Sequence, residues 1–124
     1  MWQGVAVVDI DTNAISAITS LQRPGKPDLL AKILALFESN SPGMIDEIES
    51  GLATADLDAV RAGAHSMKSS AAYLGAVDLT RLCKKIEHAA RDGDLESCRT
   101  PVAALRDCYE ETLLSLHPLV SKAA

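Results

Sequence analysis

One stretch of the chain combines residue types that could do covalent chemistry: Ala64-His65-Ser66-Met67-Lys68-Ser69-Ser70-Ala71-Ala72-Tyr73-Leu74-Gly75. Imidazole has an ordinary pKa of about 6.5, so its neutral form is abundant at neutral pH. A neutral ring nitrogen can act as a nucleophile. On a helix each residue advances about 100°. Leu57, Val60, Ala64, Met67, Ala71 and Leu74 then fall on one apolar side that must face a core. His65 lies roughly 130° from the middle of that arc and is expected to point to solvent. Arg61, Lys68, Ser69 and Ala72 share its face, with Ser66, Ser70 and Tyr73 on the flanks. Helical position alone favours an ordinary solvated histidine, with Arg61 and Lys68 as plain surface charges and Ser69 and Ala72 as helix filler.

The elements that would position this patch can be followed along the chain. The first ten residues, Trp2 among them, show no clear period and are expected to form an extended lead-in that packs on the fold. Asp11-Thr12-Asn13 offers cap chemistry before Ile15, Ile18 and Leu21, three apart on one helical face. Arg23-Pro24-Gly25 breaks the chain. Pro27 and Asp28 open a segment in which Leu29, Leu30, Ile33, Leu34, Leu36 and Phe37 recur at helical spacing. Met44, Ile45, Ile48 and Leu52 resume that period after Ser41-Pro42-Gly43, which predicts one kinked helix from about residue 27 to 52. Thr54-Ala55-Asp56 opens a helix running to Leu74, with Gly75 as its stop. Val77, Leu79, Leu82, Cys83, Ile86 and Ala90 outline the next, ended by Asp92-Gly93-Asp94. A last segment starts at Leu95, is expected to break near Thr100-Pro101, and continues with Val102, Leu105, Cys108, Tyr109, Leu113 and Leu116. No strand-like alternation of any length occurs. The reading is all-α: an antiparallel four-helix bundle with a short additional N-terminal helix, residues 1–10 as lead-in and 11–120 as a single domain.

Composition narrows the classes. The chain has 124 residues, enough for one core, and 48% of them are hydrophobic but only four aromatic, which suits helices packed on helices. A net charge of -5 without a basic stripe argues against nucleic acid. The apolar runs are too short to span a bilayer, and MWQGVAVVDID lacks the features of a secretion signal, so a cytoplasmic protein is expected. Cys83, Cys98 and Cys108 show no C-x-x-C spacing and read as ordinary thiols. His88 and His117 stand apart from His65, and no spacing suggests a metal site.

The run Ala64 to Ala76, AHSMKSSAAYLGA, resembles the signature of histidine phosphotransfer (HPt) domains. Members of that family carry a histidine, an apolar residue, Lys, small residues and Leu-Gly, places filled here by His65, Met67, Lys68, Ser69, Ser70, Leu74 and Gly75. The Leu-rich run at 29–37 and the helix with Leu82-Cys83 and Ile86-Glu87 agree with it, so that the resemblance spans about residues 11–117. It departs at Ser69, where the family often has Gly.

The resemblance implies a phosphoryl carrier in a two-component His-Asp phosphorelay, loaded on His65 from one receiver-domain aspartate and unloaded onto another. Lys68 would support the phosphoryl oxygens; Arg61, Ser69 and Ala72 would form the receiver docking surface, the last two keeping it low. The chain shows no nucleotide-binding pattern and is expected to bind no cofactor and to lack kinase activity; Mg²⁺ is expected on the receiver partner. Partners would be a sensor or hybrid histidine kinase and response-regulator receivers, with no nucleic acid and no membrane. A monomer is expected, since an exposed histidine needs no dimer; the initial Met and complete bundle favour a freestanding protein. The alternatives are a helical adaptor that binds a partner helix without covalent chemistry, and a metal-binding bundle, which the core stripes contradict by lacking paired Glu and Glu-x-x-His ligands.

Overall fold

The computed structural model describes residues 8–123 and contains α1 (Thr12–Thr19), α2 (Leu29–Ala53), α3 (Leu57–Tyr73), α4 (Val77–Arg91) and α5 (Leu95–Ala123). Helix α3 packs between α2 and α4, and α5 closes the ring against both α4 and α2. This is the antiparallel four-helix bundle with α1 as an additional short helix against α2. Among the described residues no helix is long and apolar enough to cross a membrane.

Aspartates start four of the helices; before α5, Asp94 accepts from the Ser97 N–H at 3.1 Å. Asp11, Asp28 and Asp56 each accept a hydrogen bond from a backbone N–H two or three residues on, at 2.9, 3.1 and 3.2 Å. Each satisfies one of the amides that a helix start leaves unpaired. Asp28 is therefore a cap, and α2 begins at Leu29 rather than at Pro27.

Proline marks fewer ends than its local chemistry suggests. Helix α2 continues through Pro42, as expected, but α5 also continues through Pro101 and Pro118, so the expected break near Thr100-Pro101 is absent. An interior proline costs a helix about 3 kcal/mol. Cys98, Val102 and Leu105 are buried on either side of Pro101, and burying each such side chain is worth about 1.5–3 kcal/mol for the larger ones. Tertiary packing thus offsets the local penalty. Two stripe residues lie outside the core: Leu21 falls beyond the end of α1 at 63% exposure, and Leu36 is 55% exposed on α2.

The core settles α3. Val60, Ala64, Met67, Ala71 and Leu74 are buried as the helical arc requires. At Gly63 a Cβ would lie 2.8 Å from Ile48 Cγ1, so the absence of a side chain lets α2 and α3 approach closely. At the other end, Gly75 takes φ +71° and stops the helix.

The lead-in laces onto that stop. Asp11 N–H donates to the Gly75 carbonyl at 2.7 Å, Val77 N–H to the Asp9 carbonyl at 3.2 Å, and Asp9 N–H to Asp78 Oδ2 at 2.9 Å. Val8 is buried, whereas Trp2 and the rest of residues 1–7 lie outside the described residues. A Cβ on Gly75 would stand 2.6 Å from the Asp11 carbonyl oxygen. Gly75→Ala therefore combines left-handed backbone strain with a clash against main chain. It is expected to cost more than about 2 kcal/mol, read as a lower urea midpoint; an unchanged midpoint would show that the turn relaxes freely.

Candidate functional site

His65 sits in the middle of α3 with its side chain 60% exposed, on the open side that the helical arc predicts. Its Nδ1 lies 2.8 Å from Oε2 of Glu87 on α4. The other oxygen of the same carboxylate, Oε1, accepts a hydrogen bond from Lys68 Nζ at 2.5 Å. The antiparallel crossing of α3 and α4 explains the convergence. His65 and Lys68 are one turn apart on α3, and both face a single position on α4. Arg91, one turn beyond Glu87, brings a guanidinium nitrogen to 3.9 Å from Oε2.

Glu87 itself is 5% exposed and lies among the buried Cys83, Ile86 and Ala90. A charged residue is rarely that buried unless paired. The hydrogen bond from Lys68 pulls its pKa down; burial opposes that, and the hydrogen bond from His65 adds to it, leaving a value of about 2. Glu87 is thus an ionised, acceptor-only group at neutral pH, so the hydrogen in its contact with His65 belongs on Nδ1. That assignment leaves Nε2 as the ring nitrogen with the lone pair.

The depressed pKa carries a stability consequence with a definite sign. Stabilisation from the charged carboxylate is complete above its ordinary pKa of 4.5 and is lost as pH falls from there toward about 2. Glu87→Gln is expected to flatten the pH dependence of thermal unfolding across that interval. A parent-like acid limb in the variant would assign the effect to other carboxylates.

The anticipated residues are placed as follows. Lys68, expected to face solvent, is half-buried with its ammonium on Glu87. Arg61 and Ala72 are exposed on α3. Ser69 is exposed too, but its hydroxyl donates to the His65 carbonyl at 3.2 Å, turned onto the helix. Gly75 is the stop behind the motif. His88 is exposed on α4, and His117 Nε2 lies 3.2 Å from Glu38 Oε1, so neither shares the contacts of His65. The cysteines are unpaired; burial pushes the thiols of Cys83 and Cys108 up to about 12 and about 11. Among the described residues no cluster of three or more His, Cys, Asp or Glu is placed to hold a metal ion.

Sequence reasoning gave Glu87 no role. Its signal was present: a carboxylate on the inward stripe of an amphipathic helix, beside Cys83 and Ala90, demands partners from a neighbouring helix.

Fold and site together define a helical bundle in which one exposed imidazole, that of His65, is braced from beneath by a buried carboxylate. The Hpt domain family model matches residues 32–113, more than half of the chain, which therefore belongs to the histidine phosphotransfer domain family. Among solved structures it is similar to the histidine-containing phosphotransfer protein ZmHP2 from maize, at 22% identity and TM-score 0.76, covering 95% of this chain and 88% of that one. It is similar to HptB from Pseudomonas aeruginosa PAO1, at 22% identity and TM-score 0.77, covering 91% and 95%. MtHPt2 from Medicago truncatula matches at 21% identity and TM-score 0.72, covering 95% and 84%. At such identities these likenesses establish the shared fold. A search of curated proteins finds no significant sequence match. Family membership makes the protein a phosphoryl carrier of a His-Asp phosphorelay, and the reading as a non-covalent adaptor gives way to it.

Proposed function

We propose that His65 is the carrier residue and that Glu87 and Lys68 set up its ring for transfer. The supporting observation is the 2.8 Å contact of Nδ1 with a buried, ionised carboxylate. In the forward step the lone pair of Nε2 attacks the phosphorus of a receiver's aspartyl phosphate. The N–P bond forms as the P–O bond to the aspartate breaks, which returns the aspartate as a carboxylate. The ring becomes cationic as the bond forms, and Glu87 stabilises that charge through Nδ1–H without taking the proton. In the reverse step a second receiver's carboxylate attacks the same phosphorus and the imidazole leaves neutral.

Lys68, held at Glu87, lies beside the position the phosphoryl group would occupy and lends it a cation. Arg61, Ser69 and Ala72 are proposed as the surrounding docking surface, low enough for in-line approach. The domain is proposed to extend over residues 11–120; α1 and the remainder of α5, which lie outside the matched segment, support that extent. The partners proposed are a sensor or hybrid kinase upstream and receiver domains of response regulators; the receiver contributes the acceptor Asp and Mg²⁺. The protein is proposed to act as a cytoplasmic monomer without nucleotide chemistry of its own.

The test is uptake of phosphoryl groups by the purified chain. A phosphorylated receiver is expected to label it with an acid-labile, base-stable adduct, whereas ATP and Mg²⁺ alone are expected to leave it unlabelled. Stoichiometric labelling by ATP alone would reveal an active site of its own, and no labelling by any receiver of the host would remove the carrier role.

A further inference from the structure

Charge is segregated in this molecule. Helices α3 and α4 carry six of its 12 lysines and arginines but three of its 17 acidic residues, a local net charge of +3 in a chain of net charge -5. The sequence reading found no basic stripe because the six cations are spread over two helices, which pack against each other. Below the imidazole, toward the start of α4, lies a concavity lined by Asp11, Ala72, Gly75, Thr80, Arg81 and Lys84. Ala72 is the residue it shares with the docking surface proposed around His65, so the two are continuous. Arg81 and Lys84 are exposed on α4. Arg81 is held at 3.5 Å from Asp78, whose other oxygen takes the Asp9 N–H at 2.9 Å.

We propose that Arg81 and Lys84 determine receiver specificity: they form a second docking point, beside the His65 surface, for an acidic protein surface next to the receiver's phosphoryl-bearing aspartate. The inference rests on the carrier reading of His65 and adds to it where selection between receivers occurs. Charge complementarity commits the occupant. A receiver that presents an aspartyl phosphate arrives with a concentrated negative charge, and carboxylates flanking it would meet Arg81 and Lys84 on the net positive pair of helices of an otherwise acidic chain. Long-range attraction of this kind chiefly raises the association rate and rejects partners of the wrong sign. Bonding chemistry stays with His65, because the concavity lies beyond Ala72, about two helical turns along α3.

The experiment uses the full chain carrying Arg81→Glu and Lys84→Glu together, with a Lys26→Glu/Arg99→Glu chain as the control of equal charge change away from α3 and α4. Transfer from a phosphorylated receiver is followed at several salt concentrations, and labelling by the small donor phosphoramidate in parallel. The Arg81/Lys84 variant is expected to lose about tenfold in kcat/KM at low salt through KM, with kcat kept and a shallower salt dependence. Phosphoramidate labelling and the control chain are expected to match the parent. A kcat/KM equal to that of the control overturns the docking proposal and leaves the carrier reading standing. Loss of phosphoramidate labelling in the variant also overturns it, since the residues would then be acting on His65 itself. A parent chain that takes no label at His65 from either donor overturns the carrier reading first.

Discussion

His65→Gln is expected to take up no phosphoryl group from any phosphorylated receiver, while unfolding within a few degrees of the parent. The amide of glutamine has no basic nitrogen with which to form an N–P bond, so the loss should be complete rather than partial. The fold should hardly notice. The side chain is 60% exposed, and its single hydrogen bond is to a carboxylate that keeps Lys68 at 2.5 Å. Substitutions at such surface positions usually change stability by no more than about 0.5 kcal/mol. Acid-labile label persisting in the variant at the parent rate would move the carrier to another residue.

The second large effect belongs to Glu87→Ala. Without the carboxylate nothing fixes the proton on Nδ1, the two tautomers of His65 compete, and the imidazolium formed in transfer loses its stabilising charge. Transfer is expected to slow by about 10²-fold, comparable to removing one positioned electrostatic partner in an active site. Stability should fall by about 1–2 kcal/mol, because Lys68 loses its acceptor but is half-exposed and can turn to water. Glu87→Gln separates geometry from charge. Its amide oxygen can still accept from Nδ1, so an intermediate rate is expected. If both variants transfer at the parent rate, Glu87 is only a structural partner of Lys68.

The sequence made the bundle legible because its signals are local and repeated. The apolar arc of α3, the aspartate before each of the first three helices and Gly75 at φ +71° all act within one or two turns. Long-range packing overrode the local signals elsewhere. Pro101 reads as a break, yet Cys98, Val102 and Leu105 keep α5 continuous through it. Exposure of His65 was likewise readable from its angle on one helix. The brace beneath it was not, since His65 and Glu87 are 22 residues apart and meet only through the register of α3 against α4. The same register turns Lys68 from an expected free surface cation into a half-buried partner of Glu87.

The most direct test is to load the ¹⁵N-labelled chain with phosphate and identify the bonded nitrogen by long-range ¹H–¹⁵N and ³¹P NMR. With Nδ1 committed to Glu87, the phosphoryl group is expected on Nε2 of His65 alone, with Nδ1 still protonated. A phosphoryl group found on Nδ1, or on His88 or His117, would contradict the account.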